Sequence, residues 1–296
     1  MPRSWSTPVE LDASVADPAL MLRDRAASAA LLIPPLFIVL WLGGPWIVAL
    51  VALIVLLAAS EAFRLLASAG MSSFPLLGIA IALVVAVGDS LAPALGGAGL
   101  VLAALAVVLV GVGALARTNP AEGLASWSTT VFGALYVGLL GFVPRLGAAA
   151  PDVPRDAILG GLGAERAWIL ALILSVWAFD TGAYLVGRRY GRRPFMTHIS
   201  PRKTLEGVAG GLAAVTIVAT LLLTALGQPF AGGLLLGPLI AVAAQAGDLA
   251  ESMLKRAAGA KDSGRLIPGH GGMLDRIDSF LFAAPVMTLF VLALPH

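Results

Sequence analysis

Cysteine is absent from this 296-residue chain, and charge is scarce, with 12% of residues Asp, Glu, Lys or Arg. The first absence excludes disulfides, thiolate catalysis and Cys-ligated metal, and leaves the compartment open. The second accompanies 59% hydrophobic residues and a mean hydropathy of +0.94. That balance excludes an ordinary soluble domain, in which charged residues make up about 25%. Histidine occurs only at His198, His270 and His296, and neither a Ser/His/Asp triad nor zinc-ligand spacing surrounds them. No Gly-x4-Gly-Lys-Ser/Thr phosphate loop occurs, and no convincing internal repeat.

Long apolar runs recur along most of the chain. At about 20 residues per crossing, they predict nine spans: roughly 27–43, 46–66, 74–92, 99–116, 129–144, 168–187, 207–226, 230–249 and 279–294. Helices satisfy their own backbone in lipid, and barrel strands would alternate in polarity as these runs do not. The fold expected is therefore all-α, a polytopic integral membrane protein. A mixed-charge tail with Glu10, Asp12, Asp17 and Asp24 precedes the first run, unlike the cationic start of a cleavable signal. The expected organisation is a tail over 1–25, an amino-terminal membrane half over 26–144, an outer loop and hinge over 145–167, and a catalytic membrane region over 168–296. The last of these carries inner loops over 188–206 and 250–278.

With the amino terminus inside, sixteen of the 19 Lys and Arg fall on the inner side, leaving Arg145, Arg155 and Arg166 outside. The positive-inside rule favours this orientation and an outward carboxyl terminus. Arg188, Arg189, Arg192 and Arg193 can be read as topology signals or lipid-headgroup contacts. The amino-terminal half is nearly uncharged. Its Glu61 and Arg64, three apart at a helix end, are expected to pair as a structural feature.

Residues 252–278 interleave five cations with three carboxylates, which topology alone does not require. The whole chain has three lysines, Lys203, Lys255 and Lys261, and two of them lie here. Positions Asp248, Glu251, Ser252 and Lys255 share one helix face. Glu251 and Lys255 fit a frayed amphipathic helix end; Asp248, flanked by apolar turns, does not. Asp180 interrupts an apolar span, where an acid is costly and marks function or pairing, and Tyr184 lies one turn on. Asp248, Asp275 and Asp278 supply the oxygen ligands of a hard cation such as Mg²⁺. Between them the loop Ile267-Pro268-Gly269-His270-Gly271-Gly272 has glycines whose N–H groups can approach an anion. Lys255, Arg256, Lys261 and Arg276 can neutralise phosphate. His270 reads as a general acid, a phosphate donor or a plain loop residue. Together these groups suit phosphoryl or nucleotidyl transfer.

The block Ser252-x-Leu254-Lys255-Arg256-x4-Lys261-Asp262-x-Gly264-x2-Ile267-Pro268-x-His270-Gly271-Gly272-Met273-x-Asp275-Arg276-Ile277-Asp278 resembles the signature of the phosphatidate cytidylyltransferase (CDP-diglyceride synthase) family. Asp180-Thr-Gly-Ala-Tyr184 through Ser200-Pro201-Arg202-Lys203-Thr204-x-Glu206-Gly207 resembles its second motif, with Arg202 where many relatives carry Lys. The resemblance implies transfer of CMP from CTP to phosphatidic acid, Mg²⁺ with room for a second cation, a homodimer, and the inner membrane of a bacterium with the site facing the cytoplasm. It implies Asp248 and Asp275 as metal ligands with Asp278 beside them, and Ser200, Lys203 and Thr204 as phosphate contacts. The remaining candidates are Asp262 and His270 for catalysis and Asp180, Tyr184, Glu206, Ser252, Gly271 and Gly272 for substrate binding. No nucleic-acid partner is expected. The competing readings are a transporter, whose acids would lie near the bilayer midplane, a CTP-dependent polyprenol or phytol kinase, and a cytidylyltransferase for an ether lipid.

Overall fold

The computed structural model describes residues 33–91, 98–266 and 271–294. The tail over 1–25, the start of the first expected span, and Ile267 through His270 lie outside the described residues. Among the described residues no strand forms; one isolated antiparallel bridge joins Pro194 and Thr204. The helices are α1 (Ile33–Leu42), α2 (Pro45–Ser68), α3 (Pro75–Leu91), α4 (Ala98–Ala114), α5 (Pro120–Gly138), α6 (Phe142–Ala149), α7 (Ala164–Tyr190), α8 (Leu205–Ala225), α9 (Phe230–Ala257) and α10 (Leu274–Leu292). A 3₁₀ turn over Leu139–Gly141 joins α5 to α6, giving one helical run. Among the described residues, five helical runs are long and apolar enough to cross a membrane: α2, Pro120–Ala149, α7, α8 and α9. α1, α3 and α4 are apolar but shorter, and α10 opens with Asp275, Arg276 and Asp278.

The fifth run starts nine residues before its expected position, because a cap rather than apolarity starts it. The Asn119 side chain accepts the Ala121 N–H at 3.0 Å, Pro120 fills the first helical position and Glu122 lies in the first turn. At its other end helix continues to Ala149, past the boundary at 144. The segment that follows is packed down: Trp168 Nε1–H donates to Pro151 O at 3.2 Å, and Leu159 N–H to Ala225 O at 3.0 Å.

Lipid gives apolar helices little reason to associate, so close packing through small residues has to hold them. Gly182 sits against the backbone of Gly210 and Gly211, and Gly233 and Gly237 sit against Thr220 and Thr216. These contacts draw α7, α8 and α9 together over a core of Trp168, Leu172, Leu223, Ile240 and Met287. The second core joins α2, α3 and α5 to α9 and α10 through Val55, Phe63, Leu66, Val137, Leu274 and Leu281.

Up-and-down connection brings the carboxyl ends of α2, α7 and α9 beside the amino ends of α8 and α10. Glu61, Asp180, Lys203, Asp248 and Asp275 therefore gather at one end of the helices. At the opposite end Arg145 pairs with Asp89 at 3.0 Å, and Arg166 donates to Leu42 O at 3.3 Å.

Candidate active site

The loop between α7 and α8 is built to deliver Lys203. Phe195 N–H donates to Lys203 O at 2.8 Å and Leu205 N–H to Arg193 O at 2.9 Å, folding the loop back on itself. Thr204 caps α8, its hydroxyl accepting Gly207 N–H at 3.2 Å. Glu206 accepts the backbone N–H groups of Arg192 and Arg193, both at 3.0 Å, so it fastens the loop to the helix start. Ser200 N–H closes a turn onto Met196 O, and Met196 has φ of 53°. From this frame Lys203 Nζ reaches Asp248 Oδ2 at 2.5 Å. Ser252, one turn past Asp248 and buried, has its Oγ 3.4 Å from Asp248 Oδ1. The two motif stretches of the sequence thus meet.

Asp278 comes to the same place because Gly247 lets α10 touch α9. A β-carbon at Gly247 would overlap the Asp278 carbonyl. Asp180, Asp248 and Asp278, from three different helices, lie within electrostatic range of one another. Asp180 also interacts with the Ser279 hydroxyl and lies in range of Lys203 and Arg276.

A second, drier cluster adjoins it. Lys255 Nζ lies 2.5 Å from Glu251 Oε2 and 2.6 Å from Asp275 Oδ1. Glu251 is fully buried, and Lys255 is partly buried. Asp275 Oδ2 accepts Ser263 N–H, Ser263 Oγ–H and Gly272 N–H, each at 2.8 Å. The anion that Gly272 approaches is thus the chain's own Asp275. Gly271, at φ 82°, makes the turn that permits this, and a β-carbon there would press on the same carboxylate. Lys255 is pinned between two carboxylates rather than projecting toward a ligand.

Glu61 does not pair with Arg64, which is exposed. It turns inward, is 1% exposed, and its Oε2 accepts Leu274 N–H at 2.9 Å and lies 3.0 Å from Ser263 Oγ. Neither this role nor the burial of Glu251 follows from sequence, because their partners lie in other segments. Arg64, three residues on in the same helix, offers Glu61 a local partner in the sequence and masks the role.

The remaining candidates lie at the rim. Arg256 donates to Ile199 O at 3.3 Å and to Ala260 O at 3.1 Å, tying the two loops together. Lys261, Asp262 and Arg276 are exposed. Tyr184 is exposed as well and accepts a hydrogen bond from Arg188 at 2.9 Å.

The donor chemistry fits a magnesium ion. Asp180, Asp248, Glu251, Asp275 and Asp278 face three nearby cations, Lys203, Lys255 and Arg276, which leaves carboxylates without a counter-charge. Among the described residues no three such groups are close enough to hold an ion by themselves. Mg²⁺ typically takes one or two carboxylates and completes its shell with water and substrate phosphates.

Fold and site together define a helical membrane protein with a carboxylate-and-cation centre at one end, suited to phosphate chemistry. The model of the cytidylyltransferase family matches residues 23–294, and the chain belongs to that family. It is similar to a phosphatidate cytidylyltransferase of Synechocystis, 34% identical over 293 residues that cover 93% of this chain and 98% of the relative. A phosphatidate cytidylyltransferase of Bacillus subtilis is 46% identical over 129 residues, 43% of this chain and 48% of the relative. A chloroplastic phosphatidate cytidylyltransferase of Arabidopsis thaliana is 39% identical over 194 residues, 60% of this chain and 47% of the relative.

Proposed function

We propose that this chain transfers CMP from CTP to phosphatidic acid, giving CDP-diacylglycerol and pyrophosphate. The observation that carries the reading is the Lys203–Asp248 contact, which joins the two motif segments into one centre in a chain whose family match is nearly full length. A phosphate oxygen of phosphatidate attacks the α-phosphorus of CTP, and the bond from that phosphorus to the bridging oxygen of the β-phosphate breaks. The attacking oxygen is already anionic at neutral pH, so no strong base is required. Catalysis rests on alignment and on charge stabilisation. Lys203, Arg276 and Lys261 supply positive charge, and Ser200 and Thr204 offer hydroxyls at the loop edge.

Mg²⁺ would be held by Asp248 and Asp278, beside Asp275, whose Oδ1 is taken by Lys255. There it would offset charge on the triphosphate and departing pyrophosphate. Glu206, Arg256 and Lys255 shape the loops around the substrates.

The proposal extends to nine membrane spans, the amino terminus in the cytoplasm, and a homodimer in a bacterial inner membrane with the site facing the cytoplasm. Three observations support this topology: the alternating helix directions, the gathering of basic residues at the site end, and the three arginines of the other end. Charges at the helix ends argue against a transporter. A CTP-dependent lipid kinase would instead release CDP and leave no nucleotide on lipid. Purified protein in phosphatidate-containing vesicles with CTP and Mg²⁺ should yield a nucleotide-bearing lipid by mass spectrometry. CTP left intact under those conditions would overturn the reading.

A further inference from the structure

We propose that Glu61, in the amino-terminal half, is a positioning residue for the transfer site and holds Ser263 and the start of α10 in place from across the fold. Its helix, α2, is otherwise apolar where it is buried, between Ala58, Ala62 and Leu65. A buried carboxylate is costly unless its oxygens are used; among the described residues Glu61 has no ion pair, and of its two oxygens only Oε2 has hydrogen-bond partners. What it has is the far end of the chain. Leu274 N–H opens α10 and is one of the donors that a helix start leaves without an internal partner. Met273, before it, supplies no side-chain cap. Glu61 accepts that N–H at 2.9 Å, so it caps α10 from another helix and sets negative charge at its positive end.

The same oxygen, Oε2, lies 3.0 Å from Ser263 Oγ, which lies 2.8 Å from Asp275 Oδ2. Asp275 in turn meets Lys255. Glu61 is therefore the outer anchor of a chain of contacts that fixes the loop bearing Lys261, Asp262 and Gly271. There is no slack in it: a β-carbon on Gly272 would overlap the Ser263 hydroxyl and the Glu61 carboxylate.

The inference rests on the transferase reading for its kinetic arm but not for its structural one. In the kinetic arm, Glu61→Ala should lower kcat about 10- to 100-fold with KM for phosphatidate within about twofold. Glu61→Gln, which keeps an oxygen for Leu274 N–H, should recover much of that loss. Adding Ser263→Ala to Glu61→Ala should cost little more. In the structural arm, brief trypsin digestion of the intact protein should cut after the exposed Lys261 and Arg265 at least about tenfold faster in Glu61→Ala and Ser263→Ala than in wild type. Should Glu61→Ala fail to insert, Ser263→Ala and Glu61→Gln carry the same measurements. Wild-type cleavage rates in these variants, or fully additive kinetic losses, would overturn the inference. A wild-type protein without transferase activity but with the expected cleavage pattern would overturn only the reaction.

Discussion

Lys203 and Asp248 face each other at 2.5 Å across the gap between the α7–α8 loop and α9. Both are partly buried, and no other described ion pair joins that loop to α9. The contact fixes where a cation and a carboxylate stand relative to any phosphate bound between them.

Lys203→Met should therefore lower kcat/KM for CTP by about 100- to 1,000-fold, the range for losing one preorganised charge-stabilising donor. Lys203→Arg should recover part of it. Steady-state rates with CTP varied test this, and a Lys203→Met enzyme within about twofold of wild type would remove the residue from the site.

Lys255 is a structural prediction first. Without it, Glu251 and Asp275 face one another with no described cation between them. Breaking a buried pair of this kind costs about 3–5 kcal/mol. Lys255→Met should show a clearly lower unfolding midpoint in detergent, followed through the fluorescence of the six tryptophans.

Gly247→Ala tests whether α9 and α10 need their close approach. The added methyl meets the Asp278 carbonyl, and overpacking of this sort costs about 1–3 kcal/mol. Lowered stability together with lowered turnover is expected. Gly113→Ala, where a β-carbon has open space around it, should be near neutral in the same unfolding and rate measurements.

Much of the fold is legible in the sequence because apolar runs of about 20 residues leave helices as the spanning structure. The ends are less legible. α5 starts at Asn119-Pro120, where capping chemistry overrides hydropathy. α7 and α9 run on to Tyr190 and Ala257, through charged residues. In the site, Asp248 and Lys203 stand out as charges in or beside apolar helices. Glu61 and Glu251 do not, since each looks satisfied by a neighbour three or four residues away. Glu61 takes its partners instead from Ser263 and Leu274, and such distant pairing leaves no local pattern.

The magnesium proposal has its own test. Asp278→Asn should raise the Mg²⁺ needed for half-maximal rate by at least about tenfold, since even outer contacts of a metal site change affinity by that much. Asp275→Asn, which disturbs Lys255 and the loop together, should abolish turnover while the protein still inserts. Magnesium titrations of both purified variants check this, and an unchanged requirement in Asp278→Asn would take that carboxylate out of the ion's shell.

The central claim is that the nucleotide's α-phosphate moves to a phosphorylated lipid. The most direct measurement gives the purified protein phosphatidate and CTP carrying distinguishable labels on the α- and γ-phosphates, then follows each label. The account predicts the α label in the lipid and the γ label in pyrophosphate. Transfer of the γ label to lipid, with CDP left in solution, would contradict it.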